Sequence, residues 1–151
     1  MESSSSSTPT RVLVVAHKTA TTQPLLDAVK ERAQRGPCTF TLLVPNAAHG
    51  LHRLVDPEDQ GVSEAEIVLE NAVPALRQAS GAPVEGLVGD ADPVAAVHDA
   101  INLHGPFDEA IVSTLSPRLS RWLHLDLPSK VSGMGLPVTT VTPKEVAPTA
   151  A

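Results

Sequence analysis

Between Ser113 and Arg121 the chain reads Ser-Thr-Leu-Ser-Pro-Arg-Leu-Ser-Arg, so four hydroxyls and two guanidinium groups fall within one short stretch. Hydroxyls exchange hydrogen bonds with anion oxygens, and the planar guanidinium fork matches carboxylate and phosphate geometry with two parallel donors. Ser113, Thr114, Ser116, Arg118, Ser120 and Arg121 therefore form a candidate site for a small anionic ligand. His17 and Lys18, which follow the first apolar run, add two more nitrogen groups to it. Gly89 and Asp90, at the end of the third apolar run, are the remaining candidate contacts. The plainer reading of residues 113–121 is the solvated start of a helix.

Other constellations offer less. His17, His49 and His52 follow runs that could neighbour one another, and with Asp56 they would reach the four ligands of a zinc site. The His-x-x-His spacing is common by chance, and histidines in loops are ordinarily polar surface, so no metal is assigned. Asp90, Ser113 or Thr114, and Lys144 fall after three successive runs in the manner of a phospho-acceptor domain. That chemistry needs an acidic, magnesium-binding pair after the first run, where His17 and Lys18 stand instead. No Gly-x-Ser-x-Gly elbow accompanies the serines and histidines. Cys38 is the single cysteine, which excludes an internal disulfide and a cysteine metal cage; its position beside Pro37 suits a small buried side chain. The residues point to binding rather than catalysis.

Elements must position these groups, and their pattern is regular. Arg11 to Ala16, Thr39 to Pro45, Val84 to Gly89, Glu109 to Ser113 and Pro137 to Val141 are short runs rich in Val, Leu and Ile. Several are apolar at consecutive positions, as in a parallel sheet covered on both faces. Helical segments separate them. Thr22 is placed to cap the first, with Pro24 in its opening turn and Gly36-Pro37 as its stop. Ser63 and Glu66 have capping-box spacing for the second, Val62 and Ile67 occupy the staple positions, and Val68, Leu69, Ala72 and Leu76 form its apolar stripe. Pro74 lies inside it, where a kink is expected. Asp92-Pro93 opens a third helix with Val94, Val97 and Ile101 on one side, closed by Gly105-Pro106. Leu119, Trp122 and Leu123 share a helical face, and Asp126 and Pro128 begin a short helix through Val131.

A β-α-β string of this kind predicts an open, doubly wound, five-stranded parallel sheet in a three-layer α/β/α sandwich of Rossmann-like type. Ligands of such sheets bind beyond the carboxyl ends of the strands, where the strand order reverses. The size of the chain, 151 residues, fits one domain, taken as residues 11–143. The serine-rich residues 1–10 are expected to be a disordered tail and residues 144–151 a flexible one. A net charge of -6 and 2% aromatic residues argue against nucleic acid as a partner. No apolar run is long enough to span a membrane, and a cytoplasmic location is expected.

The order of the pieces over roughly residues 11–141 resembles the universal stress protein family. Gly89-Asp90-Ala91-Asp92-Pro93 is similar to the family's turn after its third strand, Asp108 to Val112 to its fourth strand with a leading acid, and Leu136 to Val141 to its closing Pro-Val strand. The resemblance implies a binding or regulatory domain, with ATP or AMP as the ligand of nucleotide-binding members and a homodimer paired through the last strand. Those members carry a glycine loop, Gly-x-x-Gly, after the fourth strand, whereas no glycine occurs here between Gly105 and Gly133. Pro117 also removes a backbone donor from that stretch. His17 and Lys18 replace the acid often found after the family's first strand. The expectation is a non-enzymatic domain that requires no cofactor and senses a small anion or nucleotide; the rival expectation is a ligand-free interaction module of the same fold, and a weaker alternative is an enzyme on a nucleotide-hydrolase-like sheet.

Overall fold

A computed structural model describes residues 9–46, 64–115, 121–124 and 126–143. Five strands, β1 (Thr10–Val15), β2 (Cys38–Pro45), β3 (Val84–Gly89), β4 (Glu109–Ser113) and β5 (Val138–Val141), form one sheet in the order β3-β2-β1-β4-β5. Every pairing is parallel. The five predicted strands are all present, each within a residue of its expected start and end. The helices are α1 (Gln23–Gln34), α2 (Glu64–Ser80), α3 (Pro93–His104), α4 (Arg121–His124) and α5 (Leu127–Ser132).

Consecutive apolar residues in the strands serve two cores, because successive side chains of a strand point to opposite faces. Val12, Val14, Phe40, Leu42 and Val44 pack with Leu25, Val29, Ala72 and Leu76 of α1 and α2. Leu13, Val15, Leu43, Ala110 and Val112 pack on the other face with Ala96, Val97 and Ala100 of α3 and with Leu127 and Val131 of α5. Trp122 is half-buried against this second core, in keeping with its expected place on an apolar face.

The helix starts follow different physics. Asp92 caps α3 as expected, its Oδ1 accepting from the Val94 N–H at 3.0 Å. Thr22 does not cap α1 with its side chain; its hydroxyl donates to the Thr19 carbonyl at 2.9 Å, which ties the helix to the preceding turn. The Ser63 cap and the Val62 staple position of α2 lie outside the described residues, and Ile67 is 48% exposed. In α2 Ala72 and Leu76 are buried, while Val68 and Leu69 pack at the margin of the core. Pro74 is inside the helix.

Polar contacts fix the amino ends of β1 and β4. Arg11 donates through its guanidinium to the carbonyls of His104 and Pro106, each at 2.8 Å, with its Cζ 4.9 Å from the Phe107 ring centroid. The Arg11 N–H donates to Asp108 Oδ2 at 2.8 Å, so the acid that leads β4 holds the neighbouring strand. Arg32 of α1 pairs with Glu109 at 2.8 Å. Cys38 is buried as expected, and that burial pushes its thiol up from the ordinary value.

Gly89 stands where β3 meets α3. A Cβ there would lie 2.7 Å from the Ala96 Cβ and 2.8 Å from Leu43 Cδ1, closer than packed carbons sit. Gly89→Ala is therefore expected to lower the free energy of unfolding by about 1–3 kcal/mol through overpacking. A urea unfolding curve measures this, and an unchanged midpoint would mean that α3 is not held so tightly.

Candidate functional site

The strand order reverses between β1 and β4: β2 and β3 continue from one side of β1, and β4 and β5 lie on the other. The carboxyl ends of these two central strands are Ala16 to Thr19 and Ser113 to Thr114, and in open parallel sheets this is where ligands bind. Two overlapping turns carry the chain from β1 to α1, with the Ala20 N–H donating to the His17 carbonyl and the Thr22 N–H to the Thr19 carbonyl, each at 3.2 Å. The second turn sets Thr19 against β4. Thr19 Oγ1 and Ser113 Oγ lie 2.6 Å apart and are both buried, which joins the two strand ends by a side-chain hydrogen bond. One hydroxyl donates to the other, and the acceptor retains an O–H. Thr114 is buried beside them; its N–H donates to the Val141 carbonyl at 2.8 Å and its hydroxyl to the Leu115 carbonyl at 2.9 Å.

His17 is the unusual member. Its residue is 8% exposed, yet neither ring nitrogen has a hydrogen-bond partner among the described residues. A neutral imidazole carries one donor and one acceptor, and a buried polar group left unpaired costs about 1–3 kcal/mol. Burial lowers the His17 pKa below 6.5; the Glu64 charge at the start of α2 opposes this shift, and adjacent Lys18 adds to it. Lys18 itself is exposed.

The structure thus brings His17, Lys18, Ser113 and Thr114 to one end of the sheet at its central strands. Gly89 ends β3 and Asp90 follows it, with β2 between them and β1. Gly89 is needed for the close approach of α3, and exposed Asp90 accepts from the Asp92 N–H at 2.9 Å, shaping the turn into that helix. Ser116, Arg118 and Ser120 lie outside the described residues, and Arg121 opens α4. His49, His52 and Asp56 of the zinc constellation also lie outside; among the described residues no three metal-ligating side chains converge. No described helix is long and apolar enough to cross a membrane. Thr19 and Glu64 were not singled out in the sequence. Thr19 had one available signal, its place just past the end of β1, while the position of Glu64 depends on the packing of α2.

No family model and no curated protein matches the chain. Among solved structures, a universal stress protein from Archaeoglobus fulgidus superposes with a TM-score of 0.60 at 17% identity, covering 87% of this chain and 93% of its own. The universal stress protein from Archaeoglobus fulgidus in complex with dAMP gives 0.55 at 18% identity, covering 89% and 98%. The chain has the fold of the universal stress proteins. The resemblance read from the ordering of strands and turns is thereby borne out at the level of fold, since these identities carry architecture and not function. Within that universal-stress fold His17 and Lys18 occupy the end of β1, and the Thr19–Ser113 bridge closes the gap between β1 and β4.

The lowered pKa of His17 fixes a sign for pH dependence. Near pH 6.5 the unfolded chain binds more protons at this residue than the folded one, so stability falls as pH drops through that value and levels off once the folded pKa is passed. Replacing His17 by Gln removes this acid-dependent loss, and replacing Glu64 by Gln enlarges it. Urea midpoints measured at a series of pH values give the test, and a loss equal in wild type and His17→Gln would contradict it.

Proposed function

We propose that this chain is a non-enzymatic, universal-stress-like binding domain that takes a small phosphate-bearing ligand of the nucleoside monophosphate class at the carboxyl ends of β1 and β4. One observation carries the reading: a buried histidine whose ring nitrogens have no partner among the described residues stands at the reversal of strand order. Folding leaves a polar group in that condition at a cost, and such groups concentrate where a ligand completes them. The dAMP complex of a protein with the same fold supports the choice of ligand class. The missing glycine loop means that phosphate contacts fall to side chains rather than to a backbone cradle.

The Thr19–Ser113 bridge supports a second reading, in which the strand ends are closed and the domain is a ligand-free interaction module. Calorimetric titration with AMP, dAMP, ATP and inorganic phosphate separates the two. Saturable heat with a nucleoside monophosphate, reduced at least about tenfold in affinity by His17→Ala, is expected; a tenfold loss corresponds to about 1.4 kcal/mol, the scale of one hydrogen bond. No heat with any of the four would leave the interaction module standing.

A further inference from the structure

The strand-end site encloses an imidazole with no partner for either nitrogen among the described residues, and that condition bears on its protonation as well as on ligand binding. Among the described residues the charged groups acting on it are Glu64, from α2, and Lys18, its neighbour in the chain. The turn into α1 and the end of β4 contribute uncharged hydroxyls from Thr19, Ser113 and Thr114. In this setting the neutral ring is favoured in the free protein, because burial disfavours a positive charge and Lys18 opposes it, with Glu64 working the other way. An anion placed against the ring reverses that balance: the imidazolium has two donors, and each N⁺–H bond to a phosphate oxygen is short and strong.

We infer that binding at this site is proton-linked, a phosphate-bearing anion and one proton entering together, with the proton settling on His17. The inference rests on the proposed anion site and adds to it a chemical role for the histidine. No covalent step is involved; solvent supplies the proton, and the ring nitrogen without hydrogen takes it. Linkage then requires affinity to rise as pH falls, between the titration midpoint of the occupied site and that of the free one, by up to tenfold for each pH unit. Lys18 would attract the anion from its exposed position, while Glu64 would share the imidazolium charge.

The test follows the His17 ring directly by NMR, with its Cε1–H resonance assigned through sequential connectivities and confirmed by its loss in His17→Gln. The resonance is titrated with pH in the free protein and in saturating AMP. A midpoint below 6.5 in the free protein, raised by about one unit or more in AMP, is the expected result. AMP that shifts other resonances saturably but leaves the His17 midpoint in place would overturn the proton linkage and spare the binding site. The absence of any saturable shift would overturn both.

Discussion

Every strand of this sheet runs in the same direction and both faces are covered by helices, so the faces are consumed by packing and the strand ends alone are left for chemistry. That constraint explains much of the rest. The two cores demand apolar residues at successive positions of β1, β2 and β4, and parallel pairing forces each return through a crossover of a dozen residues or more. The crossovers place turns, rather than a pocket wall, at the carboxyl ends. At the reversal of strand order two neighbouring turns must diverge to opposite faces, and the gap that opens is bridged here by Thr19 and Ser113.

The fold was legible in the sequence because its determinants are local. Val12 to Val15 or Leu42 to Val44 announce a two-sided strand, and Asp92-Pro93 announces a helix start through a single side-chain acceptor and a ring that presets φ. Thr22 misled in detail because a threonine hydroxyl can either accept from the first helical N–H groups or donate to a nearby carbonyl, and here it donates to Thr19 without capping the helix. Gly89 has a packing role that the sequence does not announce. Its missing side chain makes room for Ala96 of α3 and for Leu43. Such distinctions depend on which helix packs on which face, information that spacing along one segment does not hold.

The site was legible only in part. His17 and Ser113 stand out as strand-end residues, yet nothing in the sequence says that the serine meets Thr19 or that the histidine is buried with no partner among the described residues. Burial changes the meaning of both. An exposed histidine beside a lysine is a weak anion contact, whereas a buried one is held neutral and poised to respond when charge arrives. The missing glycines therefore remove one means of holding phosphate and leave another, based on a side chain, in place.

The most direct test of this site is a crystal structure of the protein grown with AMP. The predicted result is AMP density at the carboxyl ends of β1 and β4, with an AMP oxygen or nitrogen within hydrogen-bond distance of a His17 ring nitrogen. AMP bound elsewhere while both His17 nitrogens remain enclosed and unpartnered would contradict it.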